Sequence, residues 1–166
     1  ASFPHVHLSV RQGDRQVDPF RGIDGGPDCG PGTAPLWSAE AAARLAYAPL
    51  LLTGSGFAGE PPRWEDVQEG RHAGTSLPRD APALILWVEG MALHAGDRLH
   101  YRITAPDGST FLDDDRVEAK NQARFFRYAG RKRPDGGWMP GRWRSEVTLS
   151  RDSTPPVALL REVEIE

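Results

Sequence analysis

The sequence lacks most of the features that assign a chain quickly. It holds one cysteine, Cys29, so no disulfide can close within it. That thiol is either free or the partner of a cysteine on another chain, and cysteine usage does not indicate a compartment. No apolar run approaches the roughly 20 residues that span a bilayer, and no signal-peptide pattern is present. The chain opens inside a strand-like pattern rather than with a methionine, so a mature or trimmed product is expected. The formal net charge is −3, which leaves no global basic field for nucleic acid. The one dense basic cluster, Arg131-Lys132-Arg133, runs into Pro-Asp-Gly-Gly and reads as a solvated hairpin tip. There is no Gly-rich phosphate loop, no Gly-x-Ser-x-Gly elbow and no internal repeat.

What is there is ordinary in bulk. The 166 residues are 39% hydrophobic and 26% charged, enough for one domain with a real core and no need of staples. Three zones follow one another: residues 1–22, an irregular connector over 23–78, and a strand-only region over 79–166. In the first, His5 to Val10 alternates, with Val6, Leu8 and Val10 on one face and His5, His7 and Ser9 on the other. That is the period of a half-buried strand. Gln12-Gly13-Asp14 reads as a hairpin turn, Arg15 to Val17 as the return strand, and Asp18-Pro19 as its end.

The connector carries one short helix. Ser38 is its cap, Ala39 to Tyr47 its body, and Pro49 its stop. Leu50 to Leu52 is apolar but short, and Gly54 to Gly59 interrupts the pattern. In the third zone, strands are expected at Ala83 to Val88, Arg98 to Thr104, Gln122 to Tyr128, Trp143 to Leu149 and Val157 to Ile165, separated by Gly/Pro/Asp turns. The fold class is therefore mainly β, with an antiparallel sandwich as the principal body.

Residues i and i+2 of a strand share a face, so His5 and His7 stand side by side. Imidazole is a common zinc ligand, and a strand aims two of them stiffly at one place. His-x-His alone is weak evidence. Its context is more specific: Phe3-Pro4-His5-Val6-His7-Leu8-Ser9-Val10-Arg11, then Gly13, then Val17-Asp18-Pro19-Phe20. This block resembles the last motif block of the M23 (LytM/lysostaphin-like) zinc metallopeptidases. There, proline precedes His-x-His, a hydrophobic strand and an arginine follow, and a hairpin leads to Asn/Asp-Pro. The resemblance covers about the first 20 residues.

It implies that His7 is a zinc ligand and His5 the catalytic histidine. It also implies a parent enzyme that cleaves peptide cross-bridges of bacterial peptidoglycan, in the periplasm or outside the cell. The family's other ligands, a His and an Asp on a His-x3-Asp segment, and its further catalytic histidine belong N-terminal to this block. His72, His94 and His100 lie in segments that do not resemble those motifs. Zinc is thus expected only with an upstream peptidase segment, the chain's expected partner beside peptidoglycan peptides. Neither nucleic acid nor a membrane span is expected.

The third zone resembles, by strand count and turn rhythm, the immunoglobulin-like domains appended to bacterial envelope enzymes. The alternative to the peptidase reading is a non-catalytic immunoglobulin-like binding or structural module that keeps a degenerate remnant of the motif. Of the tryptophans, Trp87 and Trp143 fall in inward patterns. Trp37 and Trp64 are read as pins for loops, and Trp138, after Gly136-Gly137, is the candidate for an exposed platform. Asp113-Asp114-Asp115 lacks the spacing of a calcium loop and reads as a solvated loop.

Overall fold

The computed structural model describes residues 7–25, 32–45 and 48–166. The chain divides into two compact units, Ala1–Pro49 and Leu50–Glu166. Cys29, His5 and the expected helix end at Tyr47 lie outside the described residues.

In the first unit, β1 (Val10–Gln12) and β2 (Arg15–Val17) form an antiparallel hairpin with Val10 opposite Val17 and Gln12 opposite Arg15. Gly13 turns it with φ +59, a conformation that costs glycine least. Asp18 then bends the chain: its Oδ1 accepts from the Phe20 amide at 2.8 Å, and its carbonyl accepts from Arg21 and Gly22. The Leu36 amide donates to the Pro19 carbonyl at 2.8 Å, and the Trp37 ring meets Phe20 edge-on at 5.4 Å. Helix α1 (Ala39–Arg44) starts as expected at Ser38, whose Oγ accepts from the Ala41 amide.

The second unit is two sheets that share one core. One sheet has the order β3-β5-β8, built from β3 (Leu51–Ala58), β5 (Ala83–Leu93) and β8 (Gln122–Lys132). The other has the order β4-β10-β9-β6-β7, built from β4 (Ser76–Leu77), β10 (Thr154–Ile165), β9 (Gly141–Arg151), β6 (Arg98–Thr104) and β7 (Thr110–Val117). Every pairing is antiparallel except the two-residue β4–β10 contact. Strand alternation places Leu84, Leu86, Val88 and Phe125 of the first sheet against Leu99, Tyr101, Ile103, Val147, Leu149 and Val163 of the second.

The continuous apolar run of β5 has a physical reason. Its other face, Ala83, Ile85 and Trp87, is buried too, with Ala58 of β3 and Val67 of helix α2 (Trp64–Gln68). At one end of the unit an ion pair ties two turns together. Asp97, 1% exposed, accepts from Arg151 Nε and Nη2 at 2.7 Å each, and from the His94 amide at 2.7 Å. Arg151 also donates to the Ala92 carbonyl. Beside it, Arg127 grips Glu118 through Nε and Nη2 at 3.0 and 2.8 Å.

Four expectations are corrected. Leu51–Ala58, read as part of an irregular connector, is a strand, and the boundary drawn at 78/79 falls inside the second unit. Residues 64–68 form a short helix that the sequence reading did not contain. Asp113 to Asp115 sit on strand β7, not in a loop. Trp138 is no platform: it is 5% exposed, donates from Nε1 to the Ala81 carbonyl at 2.7 Å, and meets Trp143 edge-on at 5.7 Å.

Candidate functional site

Of the two histidines that the motif singles out, the described residues include one. His7 is exposed, and residues 7–9 carry no ladder bonds; the strand begins at Val10. The hairpin and the Asp18 bend that follow lie where the turn signals Gln12-Gly13-Asp14 and Asp18-Pro19 place them. The other described histidines sit on separate elements. His72 is in the segment between α2 and β4. The His94 amide serves the Asp97 turn, and His100 Nε2 lies 2.9 Å from Asp113 Oδ1 across β6 and β7. Among the described residues, no three His, Cys, Asp or Glu side chains come together as a metal would need. The described chain therefore does not by itself fit a zinc ion, and His7 is the one described ligand that the resemblance supplies.

The Asp113 to Asp115 run is consumed by neighbours. Arg98 pairs with Asp115 at 2.8 Å and His100 with Asp113, while Arg116 reaches Asp114 at 2.7 Å. The hydrogen bond from His100 holds the Asp113 carboxyl below its ordinary range. Arg98–Asp115 and His100–Asp113 are exposed cross-strand pairs, screened by water and weak, while Arg116–Asp114 runs along β7 itself.

The second unit holds a more constructed feature. A cavity of about 400 Å3 runs along the Gly54–Phe57 stretch of β3. Trp87, Arg161 and the segment 70–75 close it from other sides. Two of its lining residues carry buried polar atoms with no hydrogen-bond partner among the described residues: Ser55 Oγ and Trp87 Nε1. Ser55 is 6% exposed and Trp87 7%. Sequence reading missed this region because Gly54 and Gly56 resemble strand breakers. The usable signal was two glycines at i and i+2 beside an apolar run containing Trp87: they leave room for the indole. A Cβ added at Gly56 would stand 2.7 Å from the Trp87 ring.

No protein-family model matches the sequence, and no curated protein matches it. No helix among the described residues is long and apolar enough to cross a membrane, which says nothing about strands. What the structure establishes on its own terms is a mainly β chain with antiparallel sheets.

Proposed function

We propose that this chain is the C-terminal portion of an M23-like zinc endopeptidase followed by an immunoglobulin-like sandwich, and that the parent enzyme cleaves peptidoglycan cross-bridges in the bacterial envelope. The observation that carries the reading is the ordered block Pro4-His5-x-His7, Arg11, Gly13 and Asp18-Pro19. It is supported by the two-residue hairpin turned at Gly13 and by the side-chain bend at Asp18. In this reading His7 is one zinc ligand and His5 the catalytic histidine. The remaining ligands come from a His-x3-Asp segment N-terminal to Ala1. The two-sheet unit, with its own core, supports the appended-domain part of the proposal.

The test is hydrolysis of purified peptidoglycan by the protein translated from its full reading frame. Cleavage should occur, and His5→Ala should lower it at least about a hundredfold, the usual scale of a lost acid–base group. Cleavage that survives His5→Ala unchanged, or an intact full-length protein that cleaves nothing, would contradict the proposal.

The second reading is a binding or structural module without catalysis. The cavity beside β3 favours it, because it is lined by second-unit residues alone and involves neither His5 nor His7.

A further inference from the structure

After helix α2 the chain crosses from one sheet to the other. Val67 of that helix packs with Ile85 and Trp87, on the face of β5 turned away from the main core. Further on, the Thr75 carbonyl accepts from the Glu164 amide of β10 at 2.8 Å, and β4 follows. Segment 70–75 therefore passes over the side of the unit where β10 runs beside β3. That side is closed at the main chain, because Arg161 of β10 donates from Nε to the Ser55 carbonyl at 2.9 Å. The cavity of about 400 Å3 lies between the crossing segment and β3, a volume within the range of small-ligand sites.

The polar groups of its lining are unequally satisfied. Trp87 is 7% exposed, and its Nε1 has no hydrogen-bond partner among the described residues. A buried donor left so has lost water and gained nothing in return. The indole occupies the space over Gly56: a Cβ added to that glycine would stand 3.1 Å from Nε1. Gly56 and Trp87 both line the cavity, so the unpartnered N–H stands at its wall. Gly56 follows Ser55 directly. Trp87 Nε1 and the Arg161 guanidinium thus flank one peptide unit of β3. Ser55 turns its hydroxyl to the opposite face of the sheet and takes no part.

Charge in the lining is unequal as well. Arg161 spends Nε on Ser55 and Nη1 on its neighbour, the Leu160 carbonyl, and it makes no ion pair among the described residues. Glu162, the one carboxylate of the lining, is held by Arg144 at 2.9 Å and Arg142 at 3.6 Å. Glu89, beside Gly54, accepts from Trp64 Nε1 at 3.0 Å. A buried donor and an unneutralised cation remain, with the acidic groups around them already engaged.

We infer that this cavity is a site for a small oxyanion, a carboxylate or a phosphate, that accepts from Trp87 Nε1 and lies against the Arg161 charge. An oxyanion brings acceptors and negative charge, the two things the lining lacks. A neutral carbonyl would answer the indole and leave the guanidinium unmatched. The inference stands apart from the peptidase proposal, since it involves neither His5 nor His7 and no metal.

The probes are inorganic phosphate and acetate, each titrated at constant ionic strength, set with chloride, into the whole chain labelled with nitrogen-15 and without added metal. The readout is the assigned indole N–H resonance of Trp87 among the five tryptophans. A saturable shift of that resonance is expected with at least one probe, and the probe that binds tighter identifies the oxyanion. The indole resonances of Trp138 and Trp143 should stay in place and report an intact core. Arg161→Gln should weaken binding at least about tenfold. Arg161→Lys, which keeps the charge, should bind more tightly than Arg161→Gln whatever both do to stability. No saturation with either probe at concentrations on the order of 100 mM, a shift shared by all the indoles, or equal binding by the two Arg161 variants would overturn the inference. Failure of peptidoglycan cleavage would not touch it.

Discussion

At the scale of single residues, the strongest polar commitment in the second unit is Asp97. Burial pushes its carboxyl upward. The hydrogen bonds from Arg151 and the His94 amide, with the Arg151 charge, outweigh that and hold it below the ordinary 3.8. The folded state therefore favours the ionised form. Its contribution to stability is complete above the ordinary value and is lost as pH falls through the lower folded-state value. Asp97→Ala should cost about 3–5 kcal/mol, because it strands Arg151 and the His94 amide, and should flatten the acid limb of the pH–stability curve. Denaturant melts across the acid range check both; an unchanged acid limb would show that Asp97 is not the titrating group. The residues that face water were read less surely. Trp138 looked exposed because it follows two glycines. Its burial depends on the Ala81 carbonyl, 57 positions away in sequence, and on Phe111 and Trp143, contacts that no local pattern contains.

At the scale of elements, legibility followed periodicity. Strand β6 runs from Arg98 to Thr104 as its alternation indicated, and β9 and β10 extend the expected strands by a few residues. The β1–β2 turn was legible because glycine at a two-residue turn has a single cheap role there. Strand β3 was illegible because its two glycines are paired with a partner's bulk rather than with their own neighbours: Gly56 lies opposite Trp87. Strand β7 was hidden by its acidic run, which is tolerated because Asp113 and Asp115 meet His100 and Arg98 on the exposed face. Gly56→Ala follows as the test of the β3 account. The added methyl would collide with the Trp87 ring at 2.7 Å, so destabilisation by about 1–3 kcal/mol is expected. Gly136→Ala, in open space, should cost far less. Equal stability of the two variants, compared by thermal denaturation, would refute the packing of Trp87 over β3.

At the scale of the whole molecule, the second unit owns a core that its own strands complete. Residues 50–166 alone should therefore unfold in one cooperative transition with the near-ultraviolet signal of buried tryptophans. A non-cooperative melt would mean that the sheets need more of the chain than that. The two candidate features differ in how far sequence alone can point to them. The motif around His5 and His7 was visible because its residue types and spacing are local. The groove beside β3 was not, because it is assembled from β3, β5, β10 and the segment 70–75.

The central claim is that residues 3–20 close a zinc site whose other ligands lie N-terminal to them. Zinc stoichiometry of the protein from its full reading frame, measured by elemental analysis of native material, tests it most directly. The account predicts about one zinc per chain, retained in His5→Ala and lost in His7→Ala. A full-length protein that binds no zinc, or one that keeps it after His7→Ala, would contradict it.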